Sequence, residues 1–310
     1  MNIIFMGTPD FAAESLKAII EKGHNIMAVV TNPDRPKGRG MKMVSSPVKE
    51  FAISKNLKIY QPEKVRNNVE FIEEIKALQP DVICVVAYGK ILPKEILDIP
   101  RLGCINVHGS LLPHHRGGAP IQRAIINGDK KTGVTIMEMV KKMDAGRMYA
   151  SSEIPILDSD NNSSLFEKLA IIGKNLLMEN IEDIYNGKNE GIMQNEEEAT
   201  ISPNIAPEEE KINFNIDARK VFNLIRGLSD EPGAYCEYNG QRIKIYKASI
   251  EKNDSDASPG TIINIKKSLI VKCKTDAISI LELQIPGKKR MNVKDFLNGQ
   301  KRLNLNDIII

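Results

Sequence analysis

Asn106 and His108 carry the densest chemical signal in the sequence, because they close an apolar run that begins at Cys104. Residues two apart in a β-strand point to the same face of the sheet, so the amide and the imidazole would lie side by side. An amide can donate to an oxyanion, and an imidazole can donate or transfer a proton near neutral pH. The pair therefore suits acyl transfer, although a lone Asn-x-His pair more often only caps a strand.

Asp144, in the sequence Asp144-Ala145-Gly146, is the third candidate for this chemistry. A carboxylate beside an imidazole orients the ring and favours its protonated form. The Ser-Leu-Leu-Pro sequence after His108 and the downstream Asp-Ala-Gly together favour a catalytic group over a strand cap. We therefore predict that Asn106, His108 and Asp144 are catalytic. With four histidines and no spaced cysteine pair, the chain is a poor source of metal ligands, and we predict no metal site.

The elements that would position these residues alternate between strand and helix patterns. Residues 11–20 repeat apolar side chains at a helical period, and residues 81–87 are almost wholly apolar, as in a strand covered on both faces. This alternation predicts an α/β fold with a doubly wound, mostly parallel, Rossmann-like sheet. In such folds the site lies beyond the carboxyl ends of the strands, where Asn106 and His108 are expected.

The length of 310 residues favours two domains. We assign residues 1–188 to a catalytic domain. We assign residues 189–206 to an exposed acidic linker, because this region is rich in glutamate and has little aliphatic periodicity. Residues 207–310 contain one helical stretch and then five short strand patterns, which predict a small β-barrel of the oligonucleotide-binding (OB) type.

Positive charge is concentrated in two places, although the net charge is only +3. Residues 207–310 contain 18 basic and 14 acidic residues, and a second basic cluster lies between Asn32 and Pro47. Basic clusters indicate a polyanionic partner, but charge alone more often marks a solvated surface.

Several classes of protein are disfavoured by the composition. No apolar run approaches the roughly 18 residues of a membrane span, so we predict no membrane association. The four cysteines are widely spaced, which supports neither a zinc site nor a disulfide framework and fits a reducing cytoplasm. Nothing in the sequence indicates an oligomer interface, and we expect a monomer.

The segment 106–113 resembles the signature of enzymes that use 10-formyltetrahydrofolate, and the chain resembles the methionyl-tRNA formyltransferases over nearly its whole length. Residues 7–11 are similar to the first turn of those enzymes, and residues 32–40 to their tRNA-contacting insertion. The basic, β-rich C-terminal domain is absent from the purine-pathway formyltransferases. The resemblance implies transfer of a formyl group from 10-formyltetrahydrofolate to the α-amine of methionyl initiator tRNA, without a metal or a covalent enzyme intermediate.

The resemblance also implies two sets of binding residues. The folate set comprises the turn Ser110, Leu111, Leu112 and Pro113, and the loop Tyr88, Gly89, Lys90, Ile91 and Leu92. The tRNA set comprises Arg35, Lys37, Arg39 and Lys42 in the insertion, and Lys244, Lys247, Lys288, Lys289 and Arg290 in the C-terminal domain. Arg39 is the strongest candidate for a tRNA contact among these residues, because a planar guanidinium can stack on a base and hold a phosphate.

Two departures from the family pattern concern neighbouring contacts. Arg147 stands where the family more often has an acid or proline, and the segment 228–233, which includes Asp230-Glu231, replaces an Asn-Pro-Trp-Pro pattern. Two other functions fit parts of the pattern. A formyltransferase for amino sugar nucleotides is disfavoured by the basic insertion. A folate-dependent RNA-binding module without catalysis is disfavoured by the presence of Asn106, His108 and Asp144.

Overall fold

The computed structural model describes residues 1–37, 42–299 and 303–310. This part of the chain forms two compact units, each assembled from separated stretches of sequence. Unit 1 consists of Met1–Gly118, Thr132–Ile154 and Glu167–Ser202, and unit 2 of Ala119–Lys131, Pro155–Phe166 and Pro203–Ile310. The domain boundaries at 188 and 207 stay a prediction from the sequence.

Unit 1 is built on a seven-stranded sheet. Its strands are β1 (Asn2–Gly7), β2 (Asn25–Val30), β5 (Ile59–Tyr60), β6 (Val82–Val86), β7 (Cys104–His108), β8 (Lys131–Glu138) and β9 (Met148–Pro155). The strands are ordered β5-β2-β1-β6-β7-β8-β9. The first five are parallel, whereas β8 runs antiparallel to β7. All five residues of β6 are buried, as expected of a strand covered on both faces. The predicted doubly wound, mostly parallel sheet is confirmed.

The described residues also form eight α-helices. They are α1 (Asp10–Glu21), α2 (Pro47–Ser54), α3 (Val69–Ala77), α4 (Lys94–Leu97), α5 (Pro120–Asn127), α6 (Asn162–Tyr185), α7 (Ala218–Gly227) and α8 (Val293–Gly299). Local sequence explains several of their ends. At the start of α2, Ser46 accepts the Lys49 N–H and Pro47 occupies the first turn. At the end of α5, Gly128 adopts the left-handed conformation.

The basic region between Asn32 and Pro47 contains two short strands that the sequence pattern does not predict. Strands β3 (Arg35–Lys37) and β4 (Lys42–Val44) form a two-stranded antiparallel ribbon. The expected tRNA contact Arg39 lies between these strands and outside the described residues.

Unit 2 contains a curled antiparallel sheet that forms half of a barrel. Its strands are β10 (Ala234–Tyr238), β11 (Gln241–Glu251), β12 (Ile262–Asn264), β13 (Leu269–Lys272), β14 (Ala277–Gln284) and β15 (Met291–Asn292). The path is β10-β11-β14-β13-β12, with β15 paired to β14. The chain near Ile309 bonds to both edges: Ile309 donates to the Gly260 carbonyl beside β12, and Ile310 to the Glu237 carbonyl in β10. The predicted β-rich C-terminal fold is confirmed as a half-barrel.

None of the helices in the described part of the chain has the length and apolar character of a membrane span. Within the same residues, no three His, Cys, Asp or Glu side chains form a group able to bind a metal ion.

Candidate active site

His108 ends β7, and its two ring nitrogens have different partners in unit 1. Nε2 lies 3.0 Å from the carbonyl oxygen of His115. Because a carbonyl only accepts, Nε2 is the nitrogen that carries a proton in this contact. Nδ1 lies 3.8 Å from Oδ2 of Asp144, and His108 is 5% exposed. The ring is therefore held by the main chain on one side and faces a carboxylate on the other.

Asp144 lies in the loop after β8 and is held in the left-handed backbone region, with φ of +49°. Its Oδ2 atom accepts the Gly117 N–H at 2.8 Å. Gly117 itself has φ of +120°, and a Cβ there would lie 2.7 Å from the Ser202 carbonyl oxygen. Only glycine fits this position, so the donor that fixes the Asp144 carboxylate depends on it.

Asn106 precedes His108 by two residues in β7, so the two side chains share a face of the sheet. Asn106 is half-buried, and no hydrogen bond to its side chain is found within the described part of the chain. Its amide is thus available to a ligand. The structure brings His108 and Asp144 into contact and places Asn106 on the same face of β7 as His108, while their catalytic roles stay predictions.

A polar network that leaves no recognisable signal in the sequence lies behind Asp144. The side chain of Gln194 donates to the carbonyls of Asp144 and Gly146, each at 2.8 Å. It accepts from Arg116, whose guanidinium also forms a bidentate pair with Glu196. Hydrogen bonds from Arg116 and Lys142 lower the pKa of Glu196 to about 2. Residues from 189–206, expected as an exposed linker, thus contribute the buried Gln194 to unit 1.

The expected folate-binding turn is packed against β8. Ser110 donates through its hydroxyl to the His114 carbonyl at 2.7 Å, and the Ser110 carbonyl accepts from Thr135 at 2.7 Å. Leu112 borders a cleft of about 550 Å³ whose remaining lining comes from residues 148–151 and 188–192. A cleft of this volume suits a small-molecule substrate. Because Ser110 is fully buried and both its hydroxyl and its carbonyl are bonded within the protein, Ser110 fixes the shape of the turn.

The second expected folate segment follows β6. Lys90 donates to the carbonyls of Pro62 and Glu63 at 2.6 and 3.1 Å, so its ammonium group anchors the loop. Tyr88 is buried, and burial raises the pKa of its hydroxyl. Ile91 is instead strongly exposed. The loop therefore offers a ligand its backbone and Ile91, while Tyr88 and Lys90 hold it in place.

The expected tRNA-binding cations of unit 2 fall into two groups. Arg290 pairs with Asp230 and Glu282 and stacks on the ring of Tyr246, and Lys244 donates to the Pro232 carbonyl at 2.6 Å. By contrast, three expected cations are exposed and have no ion-pair partner among the residues described here: Lys247, Lys288 and Lys289. These three are the better candidates for phosphate contacts. Asp230, one of the residues that differ from the family pattern, thus forms an ion pair with Arg290.

In the insertion, Arg35 is exposed. The backbones of Lys37 and Lys42 belong to the β3–β4 ribbon, and the structure does not describe their side chains.

Comparison with known proteins gives matches in both halves of the chain. Residues 1–181 match the family described as formyl transferase, and residues 204–301 match the formyl transferase C-terminal domain. A methionyl-tRNA formyltransferase of Caldanaerobacter subterraneus subsp. tengcongensis is 48% identical over 299 residues, which cover 96% of this chain and 97% of that relative.

Two solved structures illustrate the similarity of fold. The methionyl-tRNA formyltransferase from Clostridium thermocellum has a TM-score of 0.59 and 19% identity, covering 92% of this chain and 98% of its own. HypX from Aquifex aeolicus, in complex with tetrahydrofolic acid, has a TM-score of 0.64 and 16% identity. The match covers 99% of this chain but 50% of HypX, so this chain spans about half the length of that protein.

Proposed function

The chain belongs to the methionyl-tRNA formyltransferase family, and we propose that it transfers a formyl group from 10-formyltetrahydrofolate to the α-amino group of methionyl initiator tRNA. The product, N-formylmethionyl-tRNA, serves translation initiation. One observation of the site carries the proposal. His108 and Asp144 face each other at 3.8 Å at the carboxyl end of β7, inside the matched formyl transferase region.

The reaction needs no covalent bond to the protein. The neutral amine of the methionyl ester attacks the formyl carbon, and the carbonyl electron pair moves to oxygen to give a tetrahedral intermediate. A proton then passes from the attacking nitrogen to N10 of the folate. The bond between the formyl carbon and N10 breaks, which releases formylated tRNA and tetrahydrofolate.

We assign oxyanion stabilisation to Asn106 and protonated His108. The Nε2–H of His108 is held by His115, so Nδ1 is the ring nitrogen that can serve the reaction. Asp144 faces that nitrogen and holds the imidazolium, and it can help to pass the proton from the amine toward N10. Fixed donors of this kind stabilise a developing negative charge without reorganisation during the reaction. A distance of 3.8 Å is compatible with this role, because catalytic hydrogen bonds often tighten only when substrate binds.

We assign folate binding to the Ser110–Pro113 turn and the 88–92 loop. The cleft beside Leu112 supports this assignment by its volume. For tRNA, we assign phosphate contacts to Lys247, Lys288 and Lys289 and contacts with the acceptor end to the cations at Arg35, Lys37, Arg39 and Lys42. A monomeric state and a cytoplasmic location stay predictions.

The test offers the purified chain 10-formyltetrahydrofolate with three acceptors: methionyl initiator tRNA, methionyl elongator tRNA and an amino sugar nucleotide. We expect formylation of the initiator tRNA in preference to the other two. His108→Ala, prepared in parallel, controls for a contaminating enzyme. Formylation of the sugar nucleotide without formylation of tRNA would contradict the proposal, and so would tRNA binding without any transfer.

A further inference from the structure

Gln194 occupies a position that only a side chain with both a donor and an acceptor can fill. Its Nε2 group donates to two backbone carbonyls, those of Asp144 and Gly146, which flank Ala145. Its Oε1 atom accepts two bonds from Arg116, at 3.0 Å from Nε and 2.8 Å from Nη2. Because a carbonyl only accepts and a guanidinium only donates, these partners fix the orientation of the amide.

The surroundings make this bridge rigid. Gln194 is 7% exposed and Arg116 is 2% exposed. Arg116 is held from its other side by Glu196, at 3.1 Å for both pairs of atoms. Removing a partner from a buried guanidinium strongly destabilises the folded protein. The bonds between Arg116 and Gln194 are therefore maintained, and they keep the Gln194 amide in one place.

The loop that Gln194 holds needs such support. Asp144 lies in the left-handed backbone region, where a residue other than glycine is strained unless its surroundings impose the conformation. A Cβ at Gly146 would lie 2.0 Å from the Glu138 carbonyl oxygen, so the loop also passes very close to the end of β8. The two bonds from one NH₂ group fix the peptide units that follow Asp144 and Gly146, and thereby the position of the Asp144 carboxylate.

We propose that Gln194 is a positioning residue for formyl transfer, acting through Asp144 and itself held by the buried Arg116. The inference rests on the proposed function. It concerns a residue outside both matched regions, which cover residues 1–181 and 204–301. The segment between the two matched regions therefore contributes to the geometry of the reaction centre.

The sharpest test is Gln194→Glu. A carboxylate keeps the acceptor for Arg116, so the buried guanidinium retains a partner, but both donors to the loop are removed. Because a misplacement of about 1 Å can cost about 100-fold in rate, we expect kcat to fall by about 10- to 100-fold. The KM values for folate and tRNA should change little, since no substrate contact is removed.

Two further measurements separate positioning from a general structural role. In an Asp144→Asn background, Gln194→Glu should change kcat by less than about threefold, because residues that act through one group are not additive. The matched control is Asn223→Asp in unit 2, where a buried amide also accepts from a buried arginine, Arg226, at 3.0 Å. This exchange should leave kcat unchanged.

Amide hydrogen exchange at Gly117 gives a result that does not depend on activity, because that N–H donates to Asp144. Faster exchange at Gly117 in Gln194→Glu, without a change in α7, supports the inference. Unchanged exchange overturns it, and so does a kcat that stays at the parental value in an active chain. A parent chain that fails to formylate methionyl-tRNA overturns the proposed function instead, and the exchange experiment still decides whether Gln194 positions Asp144.

Discussion

His108 is held at Nε2 by the His115 carbonyl, while Nδ1 faces Asp144 at 3.8 Å and can serve the reaction. Its role in the proposed reaction is to stabilise the transition state rather than to bind tRNA. We expect His108→Ala to lower kcat by about 100-fold or more, the usual effect when a general acid or oxyanion donor is removed. Steady-state kinetics and a tRNA-binding assay check this. An effect confined to KM would instead make His108 a binding residue.

Asp144→Asn should lower kcat nearly as much as His108→Ala does, and the geometry of the site gives the reason. The amide oxygen can still accept the Gly117 N–H, so the loop keeps its shape, but the charge opposite His108 is removed. We therefore expect a large fall in kcat with little change in thermal stability. Comparison of both single variants with the double variant measures their coupling. Full additivity would mean that the two residues act separately.

The candidate catalytic residues could be predicted from the sequence, but the groups that hold them in position could not. An amide, an imidazole and a carboxylate in recognisable segments identify Asn106, His108 and Asp144 as candidates. Gln194 and the His115 carbonyl leave no such signal. Gln194 lies 50 residues beyond Asp144 in sequence and meets it only because the chain returns to unit 1 within α6, at Glu167. Backbone carbonyls, in turn, are present at every residue and cannot be distinguished by type.

At the scale of elements, the strands of unit 2 follow their sequence pattern closely, whereas α6 is not predicted from the sequence. The five strand patterns predicted within residues 207–310 correspond to β10, β11, β12, β13 and β14. No element is predicted between residues 140 and 186, yet α6 covers 24 of them. Gly173 lies in the middle of α6, although glycine lowers the local preference for a helix. A larger residue would not fit there, because its Cβ would lie 2.7 Å from Val107 Cγ1. Close packing against the sheet thus overrides local preference.

The ion pair of Glu196 should make the network behind Asp144 sensitive to acid. The pKa of Glu196 is lowered to about 2 by Arg116 and Lys142, below the value of about 4.3 for an unfolded chain. A carboxyl whose pKa is lowered by folding stabilises the folded state above the unfolded value, and the contribution disappears as pH falls toward about 2. We expect Glu196→Gln to lower the melting temperature at about pH 6 and to match the parent near pH 2. A difference independent of pH would contradict this origin.

At the scale of the whole molecule, we expect the two basic regions to contribute differently to tRNA binding. Exposed lysines in unit 2 offer charge without fixed geometry, so they should contact phosphates and position the RNA without reading its sequence. Lys288→Gln with Lys289→Gln should weaken the binding of all tRNAs alike. The slope of log affinity against log salt should become shallower by about one for each lysine that no longer neutralises a phosphate.

Arg39→Ala provides the contrasting variant. Arg39 is predicted to engage the acceptor end in a step that follows docking, so the change should lower kcat/KM for initiator tRNA and leave the salt slope of tRNA binding nearly unchanged. The comparison needs initiator and elongator tRNAs and a salt series for each variant. If the lysine variant altered initiator preference and Arg39→Ala did not, the assignment of recognition to the loop would be wrong.

The assembly of unit 2 from separated stretches has a consequence for the order in which the protein can fold during synthesis. Helix α5 packs against α7, and a Cβ at Gly227 would lie 2.7 Å from Ile126 Cγ1. The ribosome makes α7 about 100 residues after α5, an interval of about 5 to 20 s at roughly 5–20 residues per second. During that interval α5 lacks the helix that covers it. We therefore expect a nascent chain to develop folding force from unit 2 only after α7 has left the exit tunnel, which arrest-peptide measurements can time.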